Sequence, residues 1–381
     1  MSMDRRGFMG AATLLAAPQV LFAQVATERR FIFIIQRGAA DGLNIVIPYA
    51  EPAYASLRGQ LAIDPAAALK LDGTFALHPA LPKLRQLFAG GEATFLHAVA
   101  SAYRDRSHFD AQNVLETGGK SPYQLKDGWM NRLLGMLPRS GKDAIAFSPA
   151  VPLAMQGAVE VTTYAPSTLP EADEDLLMRV GQVYAPDRQL HALWTSALEA
   201  RGMAGERMGG VNRQDAAALG RIAAGFLARA DGPRIAMIET SGWDTHSGQD
   251  ARLTRQLNGL DGLIGALREG MGATWAQTVV LVATEFGRTV AANGTGGTDH
   301  GTAAAAMVIG GAVQGGRIVT DWPGLAPGNL FEGRDLKPTL ALDTVIASTC
   351  AEAFNLDPER TAQVLFPGAG RRQAVPRLLR G

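Results

Sequence analysis

Aspartate, glutamate and histidine residues recur in this sequence at one kind of position, beside short apolar segments. Three of the six histidines lie in the polar segments beside these runs, each within two residues of an aspartate. Carboxylates and imidazoles that converge from several loops are typical ligands of a divalent metal ion. The candidate metal ligands are Asp41, Glu239, Asp244, His246, Glu285, Asp299 and His300.

The candidate catalytic residues are Ser107 and His108, which follow the apolar run 93–99, together with Arg104 and Arg288. Ser107 and His108 lie at the predicted start of a helix, where backbone N–H groups favour an anionic group. The Ser107 hydroxyl is a candidate covalent nucleophile, and a metal-bound hydroxide is the alternative. Two neighbouring metal ions can activate a nucleophile and stabilise a leaving oxygen in displacement at phosphorus or sulfur.

Each of these residues also has a structural interpretation. Asp41 lies in a Gly-rich turn, where aspartate is common. Ser107 can cap a helix, His108 can be a hydrogen-bonded core histidine, and Asp244 and Asp299 can close turns. The recurrence of ligand-type residues at four or five strand ends favours a site. The other histidines are predicted to be structural: His78, His97 and His191.

Continuous apolar runs predict the strands that must position these residues, because strands covered on both faces do not alternate with polar residues. The runs are FIFII (31–35), ATFLHAV (93–99), RIAMIE (234–239), TVVLVAT (278–284) and AAMVIG (305–310). Helical patterns such as LTRQLNGLDGLIGALREG lie between them, so we predict an α/β sheet sandwiched between helices. Ligands gather beyond the carboxyl ends of the strands in such sheets.

The composition excludes several classes of function. The chain has 381 residues, enough for a large core, and its 36 Lys and Arg balance 36 Asp and Glu. No net field therefore attracts nucleic acid, and no such partner is expected. Cys350 is the single cysteine, so an intramolecular disulfide is excluded and a thiol mechanism is not expected.

A mostly helical insertion or lid is predicted at about 120–231.

The first 26 residues are predicted to be a twin-arginine (Tat) signal peptide. Adjacent Arg5 and Arg6 precede a short, weakly apolar stretch that ends in small residues near Ala26. A buried first helix is the alternative, which Pro18 disfavours. No segment reaches the roughly 20 apolar residues that span a bilayer. We therefore expect export by the Tat machinery and a soluble periplasmic domain over 27–381, with no membrane span.

Five motifs, spread over nearly the whole mature chain, resemble the twin-arginine-exported family called domain of unknown function 1501. They are RGAADGLN, YRDRSHFDAQ, GWDTHSGQ, TEFGRT and GGTDHGTA, in the family's order. The resemblance implies the alkaline-phosphatase-like superfamily of phosphatases, sulfatases and phosphodiesterases, and hence a three-layer α/β/α sandwich of that type. It also implies metal-binding roles for strand-end residues: Asp41 for the first metal aspartate, Glu239, Asp244 and His246 for a glutamate–aspartate–histidine set, and His300 for a histidine before a strand.

Two positions depart from the superfamily pattern. Glu285-Phe286 replaces a strand-terminal Asp-His pair, so one imidazole ligand is absent there. Arg104 occupies the place of the nucleophile, four residues before His108, so Ser107 would act from a shifted register. Alternatively, three arginines bind an anion without a covalent step. They are Arg104, Arg106 and Arg288.

The sequence thus predicts a periplasmic metal-dependent hydrolase acting on a phosphate or sulfate ester. Its cofactor would be a divalent metal, zinc or calcium or magnesium, and Asp299 would orient or supplement His300. The rival hypothesis is a non-catalytic binding or assembly protein on the same, degenerate scaffold, which recognises an anionic glycan, a phospholipid head group or a partner protein. No GxGxxG follows the first strand, so a dinucleotide-dependent oxidoreductase is disfavoured.

Overall fold

The structure is a computed structural model that describes residues 28–138, 143–165, 174–204, 215–369 and 375–381. The predicted signal peptide, residues 1–26, lies outside the described residues. None of the helices in the described ranges is long and apolar enough to cross a membrane.

The described residues form twelve strands and eleven α-helices. The strands are β1 (Arg30–Gln36), β2 (Val46–Ile47), β3 (Leu69–Lys70), β4 (Ala76–Leu77), β5 (Ala93–Ala100), β6 (Ala144–Phe147), β7 (Thr162–Thr163), β8 (Ile235–Thr240), β9 (Thr278–Thr284), β10 (Ala304–Ile309), β11 (Arg317–Val319) and β12 (Leu340–Ala341). The helices are α1 (Gly42–Ile45), α2 (Tyr54–Arg58), α3 (Pro82–Ala89), α4 (His108–Thr117), α5 (Trp129–Met136), α6 (Glu174–Tyr184), α7 (Arg188–Ala204), α8 (Ala216–Leu227), α9 (Gln249–Met271), α10 (Leu342–Phe354) and α11 (Pro358–Leu365).

Nine strands form one mixed sheet in the order β11-β5-β10-β9-β1-β8-β6-β7, with β12 also paired to β5. Strand β10 runs antiparallel to both of its neighbours, and the other pairs of this sheet are parallel. The carboxyl ends of β1, β5, β8 and β9 therefore share one edge with the amino end of β10. The segment that precedes β10 consequently meets the segments that follow the other four strands. Strands β2, β4 and β3 form a separate small sheet.

Helices cover both faces of the central sheet. In β1, Ile32 and Ile34 pack in the cluster that contains α3, α8 and α9, whereas Phe31, Phe33 and Ile35 pack against α5, α10 and α11. Burial on both faces explains the continuous apolar run. The predicted α/β sandwich is confirmed, and each of the five predicted strands is present.

The segment predicted as a helical insertion, about 120–231, contains helices α5 to α8. It also supplies β6, which pairs with β8 and extends the central sheet. Helices α5 and α8 belong to the core, since Trp129 and Phe226 are buried. No sequence pattern predicts β6 or β7, because strands of four and two residues are too short to show a periodicity.

Cys350 and His97 lie in the core. Cys350 is buried in α10, and burial raises the pKa of its thiol. His97 is buried in β5, its Nδ1 accepts from the Ala98 N–H at 2.8 Å, and its Nε2 donates to the Val46 carbonyl at 2.9 Å. Burial lowers the pKa of His97 to about 4, so its imidazole is neutral.

Candidate metal centre

Glycines in the sequence motifs let the strand-end loops approach one another closely. Gly38, just after β1, has φ +118°, and a Cβ there would lie 2.7 Å from the backbone nitrogen of Asp244. A Cβ on Gly297 would lie 2.3 Å from the carbonyl carbon of His246. Any other residue would push the loops after β1 and β8, and the loop before β10, apart.

Three imidazoles and one carboxylate converge where these loops meet. The Nε2 atom of His300 lies 2.9 Å from Nε2 of His108 and 3.0 Å from Nε2 of His246. The nearer Asp244 oxygen lies 3.0 Å from Nε2 of His246 and 3.4 Å from that of His300. We call His108, Asp244, His246 and His300 the four-residue cluster.

These spacings fit a metal ion. Zinc bonds of about 2.0–2.1 Å in a tetrahedron separate the ligand atoms by about 3.3 Å. His108, Asp244 and His300 each offer one ligand atom, and these atoms lie within 4.8 Å of one another. The Nε2 atom of His246 lies close to His300 and Asp244 and can serve as the fourth ligand atom.

The other ring nitrogens fix the tautomers. Each Nδ1 faces an acceptor, so in the neutral ring the hydrogen lies on Nδ1 and the Nε2 lone pair faces the cluster. This is the usual arrangement of metal-bound histidines. The acceptors are Glu285 for His108 at 2.9 Å, the Arg106 carbonyl for His300 at 2.9 Å, and Asp299 for His246 at 3.4 Å.

Lone pairs that face one another at about 3 Å repel unless a proton or a metal ion lies between them. Burial lowers the pKa of His300, and the nearby His108 and Arg288 lower it further. This disfavours a bridging proton on His300. A bound cation accommodates all three rings, so the donor set fits a metal ion.

The carboxylates around the cluster are ionised. Glu285 is fully buried, which opposes ionisation, but hydrogen bonds from His108, Gln112 and the Gly38 N–H outweigh burial and lower its pKa. Burial likewise opposes ionisation of Asp244, and its contact with Arg288 outweighs it, so that pKa is also lowered.

The charge balance agrees with a divalent ion. A hydrogen bond from Asn293 lowers the pKa of Asp299, the third carboxylate. Asp244, Glu285 and Asp299, together with the Arg288 guanidinium, leave a formal charge of −2. One divalent cation neutralises this charge.

Arg288 is fully buried beneath the cluster. Its guanidinium donates to the carbonyls of Ala39 at 2.8 Å and Thr298 at 3.1 Å, and to those of Gly38 and Trp243 at 3.2 and 3.3 Å. It also pairs with Asp244. Arg288 therefore joins the loops after β1, β8 and β9 to the loop before β10, and it fixes the Asp244 carboxylate.

The family model described as "Protein of unknown function (DUF1501)" matches residues 28–365, which include all five motifs and the four-residue cluster. The chain belongs to the DUF1501 family. Among curated proteins, none matches it.

The DUF1501 chain is also similar to solved structures. Ps i-CgsB in complex with k-i-k-neocarrahexaose is 11% identical, with 89% of this chain and 74% of that chain covered and a TM-score of 0.47. A putative sulfatase from Bacteroides thetaiotaomicron is 8% identical (92% and 77% covered, TM-score 0.43). The phosphonate monoester hydrolase of Agrobacterium radiobacter is 12% identical (85% and 74% covered, TM-score 0.35).

Four of the predicted metal ligands lie outside the four-residue cluster of this DUF1501 protein. Glu285 and Asp299 contact its imidazoles at Nδ1, whereas Asp41 and Glu239 pair with arginines. Asp41 is buried, pairs with Arg58 and accepts hydrogen bonds from the Leu43 N–H and the Gln249 amide. Glu239 pairs with Arg37. The structure therefore does not bring these two carboxylates to the imidazoles.

The predicted catalytic serine occupies the N-cap position of α4 next to His108, but its side chain makes no capping hydrogen bond. Arg104, in the place of the superfamily nucleophile, donates to the carbonyls of Ser101 and Tyr103.

The other two arginines of the predicted anion site are engaged as well. Arg106 pairs with Glu332 and Asp335, and Arg288 with Asp244 and four carbonyls. Each guanidinium, like that of Arg104, holds a loop in place, which does not support the predicted anion clamp.

Gln112 is a site residue that was not predicted from the sequence: its amide donates to Glu285 at 3.0 Å. Its signal was present, since it follows His108 by four residues and so lies on the same face of α4.

Proposed function

We propose that this DUF1501 protein is a metal-dependent hydrolase of phosphate or sulfate esters that acts in the periplasm. One observation carries the proposal. Three imidazole Nε2 atoms and the Asp244 carboxylate face a common point, and an acceptor anchors each Nδ1. The five motifs resemble the DUF1501 family, and the hydrolase superfamily that this resemblance implies supports the same chemistry.

Each residue has a role that follows from its contacts. His108, Asp244, His246 and His300 would hold the ion, and Glu285 and Asp299 would orient two of the rings. A divalent ion held there would supply Lewis-acid polarisation of an ester oxygen. Ser107 remains the candidate nucleophile, at the start of α4.

Zinc fits this donor set better than calcium or magnesium. Three imidazoles and one carboxylate are a zinc ligand set, whereas calcium and magnesium prefer oxygen ligands alone. A single ion is favoured over two, because Arg58 and Arg37 already pair with Asp41 and Glu239.

Metal analysis of the purified mature protein is expected to give about one zinc per chain. A panel of phosphate and sulfate esters should show turnover that a chelator abolishes and added zinc restores.

Asp244→Ala should lower this turnover at least about 100-fold, because it removes the only carboxylate of the cluster. Asp321→Ala, at an exposed loop aspartate, is the matched control and should retain turnover. Absence of both stoichiometric metal and metal-dependent turnover contradicts the proposal.

A non-catalytic binding or assembly protein is the second candidate. Arg104 occupies the place of the nucleophile, and Phe286, in the place of a superfamily imidazole, stacks on His108 with ring centroids 4.9 Å apart. This candidate predicts bound zinc without turnover of any ester on the panel. The same metal analysis and screen therefore separate the two functions.

Export by the twin-arginine route is part of the proposal, and its support is the Arg5-Arg6 pair with the apolar stretch that follows. In cells that express Arg5→Lys/Arg6→Lys, we expect most of the protein to remain in the cytoplasm as the uncleaved precursor. Cell fractionation with immunoblotting measures this distribution, and a strain that lacks the twin-arginine translocase is the positive control. Periplasmic accumulation at the wild-type level would show that another route exports the protein.

A further inference from the structure

Arg106 has a backbone conformation that non-glycine residues rarely adopt. It lies in the loop between β5 and α4 with φ +61°, in the left-handed region. Such a conformation costs roughly 1–3 kcal/mol and persists where the surrounding structure holds it. The contacts of the Arg106 side chain identify what holds it.

A buried aspartate, Asp335, anchors the Arg106 guanidinium. Its Oδ2 atom accepts from Nε of Arg106 at 2.9 Å and from the Thr302 hydroxyl at 2.8 Å. Asp335 is fully buried, and Glu332 also pairs with Arg106. Because Thr302 follows His300 by two residues, Asp335 joins the Arg106 loop to the loop that carries His300.

The anchored backbone of Arg106 aims its carbonyl at His300. The carbonyl oxygen lies 2.9 Å from Nδ1 of His300 and accepts its hydrogen. This contact fixes the tautomer in which the Nε2 lone pair faces His108 and His246. Without the tether to Asp335, residue 106 would relax toward negative φ, the carbonyl would turn away, and Nδ1 would lose its acceptor.

We propose that Arg106 is a positioning residue for the metal centre: its ion pair with Asp335 holds a strained backbone whose carbonyl sets the tautomer of His300. The inference rests on the proposed function where it concerns metal, but not where it concerns the tautomer. The side chain acts through the backbone, so this role differs from the anion clamp expected of the motif.

The test compares wild type with Arg106→Ala in two measurements. Imidazole nitrogen NMR spectra of metal-free, histidine-labelled protein should show His300 as the Nδ1–H tautomer in wild type and as a mixture in the variant, with the signal assigned by its loss in His300→Ala. Zinc affinity, measured by competition with a chromophoric chelator, should fall about 10–100-fold, the usual effect of removing an outer-shell partner. Arg106→Lys should recover part of both, because an ammonium can still pair with Asp335.

Arg221→Ala, which removes an exposed arginine paired with Asp215 on α8, is the matched control and should change neither measurement. If Arg106→Ala does not fold, Arg106→Gln gives the same test, since its shorter neutral side chain cannot form the ion pair. An unchanged tautomer and an unchanged zinc affinity in these variants would overturn the inference. If wild-type protein binds no zinc, the proposed function fails, and the tautomer comparison in metal-free protein still decides the role of Arg106.

Discussion

His300→Ala is expected to lower the zinc affinity of the protein more than about 100-fold, beyond the range found for outer-shell residues. His300 is central to the four-residue cluster. Its Nε2 atom lies 2.9 Å from His108, 3.0 Å from His246 and 3.4 Å from Asp244. Its removal therefore takes away the one imidazole that lies close to both of the others.

Chelator competition measures the affinity, and thermal unfolding with and without zinc gives a second readout. Zinc at about 1,000 times its Kd should stabilise wild type by about 4 kcal/mol, and the same zinc concentration should stabilise His300→Ala by about 1.4 kcal/mol or less. The His300 side chain is 25% exposed, so the metal-free variant should remain folded. His191→Ala, at an exposed histidine on α7, is the matched control. One zinc bound at wild-type affinity in His300→Ala would place the metal elsewhere.

A graded series follows from the same geometry. His246 approaches His300 and Asp244 but lies outside the set whose ligand atoms are mutually within 4.8 Å, and its side chain is 44% exposed. His246→Ala should therefore weaken zinc binding less than His300→Ala does.

The strands and the convergence of His108, Asp244, His246 and His300 could be predicted from sequence for a physical reason. Strands buried on both faces have continuous apolar runs, and loops that leave one sheet edge bring their polar residues together. The direction of β10 could not be predicted in this way. Strand β10 runs antiparallel to β5 and to β9. This direction explains why residues that precede β10 lie beside residues that follow the other strands.

The roles of Asp41 and Glu239 could not be predicted, because they depend on cations from other loops. Asp41 follows β1 as a superfamily ligand would, but Arg58, 17 residues later, pairs with it, and no local pattern marks that arginine. Glu239 lies within β8, one residue before its end, and its side chain pairs with Arg37. A sequence pattern thus identified the sheet edge, but long-range ion pairs decide which carboxylates are available there.

Asp41→Ala is expected to lower the free energy of unfolding by about 3–5 kcal/mol, while the folded protein keeps its zinc. The substitution leaves the buried Arg58 guanidinium without its counter-ion and the Gln249 amide without its acceptor. Arg58 also donates to the carbonyls of Thr289 and Val290 at 3.1 and 3.2 Å, so it cannot leave the interior without breaking these bonds.

Urea unfolding of metal-free protein measures the stability, and metal analysis of the folded fraction gives the zinc content. Asp321→Ala, at an exposed aspartate, is the control and should change neither. Replacing both partners, as Asp41→Leu/Arg58→Met, should recover part of the lost stability, because apolar side chains of similar volume often replace a buried ion pair at little cost. The opposite result, loss of zinc from Asp41→Ala with stability unchanged, would make Asp41 a metal ligand, as the superfamily resemblance implies. The Asp41 variants therefore distinguish a structural ion pair from a second metal position.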